Sequence, residues 1–298
     1  MTPAGTGVVK KGFDSGTTSY SRIQEYYISY CVLVRSLESE CSQQEVAHFF
    51  WHGDLSRLEI ACIKSFVAHG FDVNLWSYTG LKVDGAKSRN AAKILPIRYL
   101  TLVSQHSEFT KTTRGADHGA LAAFSDLFRY KVLADKGGWW FDTDCMCLWD
   151  SYRFTEMRGR NEVFACEEYA NLDYRVVYVG GIYLKPRIAG MLLEEAIALC
   201  RQSDYSISWG SIGPILMGKF VESQNLWHCI LPPDPIYAFS HADTVKLIYP
   251  DLINEAFDMI DDAPFVHLFD SALVLGHGVD KNQPPAGSAL EALIKMTE

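Results

Sequence analysis

The feature that most constrains this chain is its repeating grammar: a short apolar run, a longer amphipathic stretch, then another short apolar run. It starts at "EVAHFFW" (Glu45 to Trp51), a run suited to a buried strand. "HGDLSRLEIACIKSFVAHG" follows, with Leu55, Leu58, Ile60, Ala61, Ile63 and Phe66 at near-helical spacing and Gly70 as a C-terminal stop. "FDVNLWSY" (Phe71 to Tyr78) alternates apolar and polar residues and reads as a second strand. "AKSRNAAKI" reads as a short helix ended by Pro96. The Ala- and Leu-rich segment Ala116 to Gly138 is the clearest helix, stopped by Gly137, and "WWFDTD" is a strand with the loop after it. The second half repeats the pattern. "NEVFACEE", "RVVYVGGIYLKP" and "APFVHLF" read as strands, and "IAGMLLEEAIALCRQ" and "SIGPILMGKFVES" as helices. Such alternation predicts an α/β fold with a mixed, mostly parallel sheet flanked by helices.

At 298 residues the chain is long enough for one large domain. Residues 1–20 are polar and glycine-rich, unlike a secretory signal, and are expected to be a flexible arm before a single domain at 21–298. Within that domain, 21–40 reads as a helix or a helix–strand pair. The apolar run "YYISYCVLV" (Tyr26 to Val34) is about half the length needed to span a bilayer, so no transmembrane segment is expected. A net charge of −9 argues against nucleic acid, whose phosphates need a basic face. Eight scattered cysteines, including a lone C-x-C at Cys145 and Cys147, form no zinc pattern and fit a reducing cytoplasm.

Asp142-Thr143-Asp144 stands out against this background, because it ends an apolar strand with two like charges. If the strand continued, both carboxylates would share one face, and each would raise the other's pKa unless a cation intervened. In open α/β sheets ligands sit beyond the carboxyl ends of the strands, where this turn falls. Hard divalent cations such as Mn²⁺ and Mg²⁺ take oxygen ligands and share their sphere with substrate phosphates. Such an ion would let an acidic protein hold a nucleotide diphosphate.

The surrounding "AAFSDLFRYKVLADKGGWWFDTDCMCL" resembles the signature of the DxD sugar-binding glycosyltransferases, in particular glycosyltransferase family 32 and the large clostridial toxin catalytic domains. There, a helix with Ser-Asp-x-x-Arg-Tyr leads through Gly-Gly-x-Tyr into Asp-x-Asp. Ser125, Asp126, Arg129, Tyr130, Gly137, Gly138, Asp142 and Asp144 match those positions. The similarity extends roughly over 45–272. It implies a GT-A-type (Rossmann-like) fold and a metal-dependent glycosyltransferase, of hexosyltransferase type, that retains anomeric configuration. The donor would be a nucleotide diphosphate sugar, with UDP favoured, and the acceptor a saccharide or glycan hydroxyl, as in polysaccharide biosynthesis.

The resemblance also implies roles. Asp144 would be the direct metal ligand, with Asp142 at the donor and the metal's water shell and His267 as a further metal or diphosphate ligand. Asp126 and Arg129 would hold the donor sugar and the developing phosphate charge, with Arg129 also catalytic. Ser125 and Gly138 would line the donor, and Trp51 would stack on the base. The plainer readings are a surface ion pair for Asp126–Arg129, a core residue for Trp51 and a satisfied core histidine for His267. The sequence departs from the pattern at Trp140, at Phe269 and at Gly180-Gly181, where relatives carry a tyrosine, a tryptophan and a polar residue. Two rival readings are a non-catalytic nucleotide-sugar or saccharide binder on the same fold and a DxD phosphatase. The phosphatase motif needs Thr or Val where Met146 stands.

Overall fold

A computed structural model of the protein describes residues 44–106, 118–167, 175–233 and 238–298. The expected arm and the elements expected at 21–40 lie outside the described residues. In chain order the elements are β1 (Val46–Phe50), α1 (Arg57–Ala68), β2 (Asp72–Ser77), β3 (Lys87–Asn90), α2 (Arg98–His106), α3 (His118–Lys136), β4 (Trp139–Phe141) and β5 (Cys145–Cys147). There follow α4 (Ser151–Arg158), β6 (Val163–Cys166), β7 (Gly181–Leu184), α5 (Pro186–Gln202), α6 (Pro214–Ser223), β8 (Ile230–Leu231), α7 (Val245–Ile248), α8 (Ile253–Ile260), β9 (Phe265–His267) and α9 (Ala289–Lys295).

Seven strands form one sheet in the order β3-β2-β1-β4-β7-β6-β8. β3, β2, β1 and β4 are mutually parallel, β7 runs against β4 and β6, and β6 and β8 are parallel. The sheet is therefore mixed and mostly parallel, as the alternation predicts. β5 and β9 form a separate antiparallel ladder that sets Cys145 opposite His267.

Side chains alternate across the sheet into two cores. Phe49, Trp139 and Phe141 face one, with Phe66, Phe154 and Phe265. Phe50 and Trp140 face the other, with Phe124 and Phe128 of α3. Rings meet at 4.2 Å (Phe66–Phe141) and 4.7 Å (Phe50–Phe128), and each fully buried phenylalanine contributes roughly 1.5–3 kcal/mol. The same alternation decides which way the acidic turn's first residue points, because Asp142 follows Trp140 by two.

Two expectations change. "AKSRNAAKI" is not a helix: Lys87–Asn90 extend as an exposed edge strand beside β2, and Ala91–Lys93 make one 3₁₀ turn capped by the Asn90 side chain. Lys87 bonds Asp72 at 2.7 Å and Arg89 bonds Asn74 at 2.7 Å, so lateral pairing overrides local helix propensity. In "RVVYVGGIYLKP" the ladder is confined to Gly181–Leu184, and Val177 makes a single bridge to Glu167.

The junction of α3 and β4 fixes where the acidic turn emerges. Gly137 (φ +67°) ends the helix, donating its N–H to Leu133 O at 2.9 Å. Gly138 (φ +88°) lies so close to β1 that a Cβ there would be 2.7 Å from the Val46 carbonyl.

Candidate active site

Parallel β1, β2 and β4 end on one edge of the sheet, which places Trp51, Tyr78 and Asp142 along a common crevice. Asp142 enters it with its backbone N–H donated to Gly180 O at 2.7 Å. Its carboxylate Oδ1 accepts from Arg129 Nη2 at 2.9 Å and from Trp140 Nε1 at 2.8 Å. Arg129 Nη1 reaches Asp126 Oδ1 at 2.5 Å, and the guanidinium carbon lies 5.1 Å from the centre of the Trp140 ring. The side chain of Arg129 is only 3% exposed, which removes the reading of Asp126–Arg129 as a surface ion pair. Burial works against the Arg129 charge, but Asp142 and Asp126 outweigh it and hold the guanidinium charged. Burial pushes Asp126 up to about 6, with Arg129 pulling it down and Asp142 adding to the rise.

A tight turn, closed by Cys145 N–H to Asp142 O at 3.0 Å, then sends Asp144 elsewhere. Its Oδ2 lies 3.1 Å from His267 Nε2 and accepts the Asp270 backbone N–H at 3.0 Å. Burial opposes the Asp144 charge, yet His267 and the Asp270 N–H prevail and hold its pKa below the ordinary carboxylate range. The imidazole moves the opposite way: its burial is outweighed by Asp144, which raises it. The two aspartates therefore do not share one environment, as a continued strand would require. Each has its own basic partner, Arg129 for Asp142 and His267 for Asp144.

The structure brings Asp126, Arg129, Asp142, Asp144 and His267 together. Trp51 stands half-buried at the end of β1, its indole N–H donated to Asp54 O at 3.0 Å, with the Lys281 ammonium 5.1 Å from its ring centre. Ser125 lies half-buried on α3, one position before Asp126. Gly138 is not brought to the crevice. It precedes β4 at the opposite end of the strand, and its close neighbour is the Val46 carbonyl.

Gly180, Gly181, Trp140 and Phe269, noted above only as departures from the family pattern, complete the surround together with Gly213, Asp270 and Lys281, which the sequence reading passed over. A Cβ at Gly180 would come within 2.8 Å of Asp142 Oδ2, one at Gly181 within 2.4 Å of Phe265, and one at Gly213 within 2.4 Å of Asp126 Oδ2. Trp140 does more than keep an aromatic surface, since its N–H holds Asp142. Phe269 adopts φ +52°, strained for a bulky residue, and its ring meets His267 at 4.1 Å. Asp270 and Lys281 form a further ion pair at 3.1 Å. Cys145 and Cys147 serve the fold: Cys145 Sγ bonds Tyr178 and Gly180 O, and Cys147 Sγ bonds Trp149 O.

The donor chemistry suits a hard divalent cation, with carboxylates of Asp142 and Asp144 on one turn and Asp270 beside them. Among the described residues no three His, Cys, Asp or Glu side chains converge as a ready ligand set. An ion here would complete its sphere with phosphate oxygens and water, as Mg²⁺ and related cations do at nucleotide sites.

Residues 30–164 match the family described as "Glycosyltransferase sugar-binding region containing DXD motif". Over that stretch, a little under half of its length, the chain is similar to the DXD glycosyltransferases. The match takes in β1, α3 and the acidic turn, and ends within β6. No curated protein sequence matches the chain. Similar solved structures are "PaToxG Glycosyltransferase" (12% identity, 93% of this chain and 95% of that one, TM-score 0.43) and the glycosyltransferase GlyE of Streptococcus pneumoniae TIGR4 (12% identity, 86% of this chain, TM-score 0.45). The chain spans 60% of the GlyE chain's length. Among the described residues no helix is long and apolar enough to cross a membrane.

Proposed function

We propose that the protein is a DXD glycosyltransferase that moves a hexosyl group from a nucleotide diphosphate sugar, UDP-sugar favoured, to a hydroxyl of a saccharide or glycan, with retention of configuration. The observation that carries this is the Asp126–Arg129–Asp142 chain on one side of the strand end, buried at Asp126 and Arg129 and partly open at Asp142, with Asp144 and His267 on the other. A fixed guanidinium and an acidic turn meet there at the mouth of a parallel sheet.

Trp51 offers the base an aromatic face. Asp126 and Arg129 face the donor sugar, and Arg129, charged at any physiological pH, offsets negative charge building on the departing diphosphate. Asp144 would hold Mn²⁺ or Mg²⁺, with Asp142 and His267 at hand, and such an ion supplies Lewis-acid stabilisation of the leaving group. No side-chain nucleophile stands out from the sequence or, among the described residues, beside the turn, which suits same-face displacement with the leaving phosphate taking the acceptor proton.

The test is a panel of nucleotide sugars with Mn²⁺, scored for sugar release and transfer. Wild-type protein should turn over at least one donor, and Asp144→Ala should lose roughly 100-fold or more. Wild-type turnover by Asp144→Ala would remove the site assignment. UDP binding without turnover of any donor would make the protein a binder instead.

A further inference from the structure

Lys281 lies between β9 and α9, in a segment closed by the Asp280–Gln283 bridge, and its side chain reaches into the crevice. Its ammonium donates to Glu59 of α1 and to Asp270 Oδ2 at 3.1 Å, and stands 5.1 Å from the centre of the Trp51 ring. Asp270 in turn gives its backbone N–H to Asp144. A continuous series of contacts therefore runs Trp51, Lys281, Asp270, Asp144, and the turn leads on through Asp142 to Arg129 and Asp126. On the reading above, which this inference rests on, the base lies at the Trp51 end and the sugar at the Asp126 end. What lies between them is the diphosphate.

We propose that Lys281 binds a phosphate oxygen of the donor and so selects nucleoside diphosphates over bare nucleosides. The plain alternative is that Lys281 only neutralises Glu59, whose side chain is 1% exposed. Three observations go further. An ammonium has three N–H donors, and Glu59 and Asp270 take two. The Lys281 side chain is 21% exposed, so the third is reachable from the crevice. Glu59 is also served from its other oxygen, Oε2, which accepts the Ser56 N–H at 2.7 Å and the Ser56 hydroxyl in a capping box. The charge balance points the same way. Glu59, Asp270 and Asp144 crowd this end of the crevice, and a diphosphate would meet a negative edge without a cation among them. A compact, mobile ammonium suits that task.

The experiment is calorimetry in Mn²⁺ with UDP, GDP, uridine and guanosine on the full chain. Four proteins are compared: wild type, Lys281→Met, Glu59→Gln and the double variant. Glu59→Gln removes the buried carboxylate, so in that background Lys281 has no such charge to neutralise and a folding defect is separated from a binding one. Lys281→Met should weaken diphosphate binding roughly ten- to hundredfold in both backgrounds and leave nucleoside binding unchanged. An unchanged ratio of diphosphate to nucleoside affinity in the Glu59→Gln background would overturn the assignment while the donor reading stands. If the wild type binds neither diphosphate, the donor reading fails and this one fails with it.

Discussion

Arg129 holds two carboxylates with one guanidinium inside the protein, and a lone buried charge on either side would be costly. Arg129→Met leaves Asp126 and Asp142 without their cation and should destabilise the fold by about 3–5 kcal/mol, measured by urea unfolding. Arg129→Lys keeps the charge but cannot span both carboxylates from a single nitrogen on a flexible stem. It should retain much of the stability and still lose most of the turnover. A Met variant as stable as wild type would show that the pair is not the buried linkage described. These residues were legible through the family resemblance, whose motif is local: Asp126 and Arg129 sit three apart on one helix, and Asp142 lies 13 residues beyond Arg129. Lys281 and Asp270 were not legible, because they meet Glu59 and Asp144 across 222 and 126 residues. No local pattern records such a contact.

Elements were read well where burial sets a strong period, as in β1, α1, β2, α3 and α5. They were misread where an edge pairing decides, as in β3, whose residues are all exposed. β5 and β9 show a further limit: the strand at 265–267 was expected, but its pairing with β5, which delivers His267 to Asp144, is a matter of topology. Two glycines test what the elements need. Gly213 leads into α6, and a Cβ there would press on the Asp126 carboxylate from 2.4 Å. Gly213→Ala should push Asp126 off Arg129, cutting turnover by roughly tenfold or more and lowering stability as well, because the buried pair is parted. Equal turnover in wild type and variant would separate Asp126 from the chemistry. Gly190 lies within α5, and a methyl group added there would meet nothing within 4 Å. Gly190→Ala should therefore stabilise by about 0.5–1 kcal/mol in the same unfolding assay.

Across the whole molecule, three parallel strands are tied through one ring. His48 of β1 accepts the Trp76 indole N–H at Nδ1 (3.2 Å) from β2, and its Nε2 lies 3.0 Å from Gly137 O just ahead of β4. An indole nitrogen only donates, so Nδ1 is unprotonated and Nε2 carries the hydrogen given to Gly137. Both ring nitrogens are then committed in the neutral form. Burial lowers the pKa of His48 to about 4, although the Gly137 carbonyl pulls the other way. The unfolded chain protonates this ring near 6.5, so between these values it binds more protons than the folded protein. Stability therefore falls as pH drops from about 6.5 to about 4, by up to about 3 kcal/mol from this residue. Asp126 has the opposite sign, since its folded pKa is raised to about 6 and its protonation favours the folded state as pH falls. The contribution of His48 is isolated by difference: urea unfolding of wild type and His48→Gln at several pH values across the window. Glutamine cannot titrate, so the variant should be weaker near neutrality and should lose less stability on acidification. Parallel losses in the two proteins would show that this ring is not the acid-sensitive tie between the strands that carry the crevice.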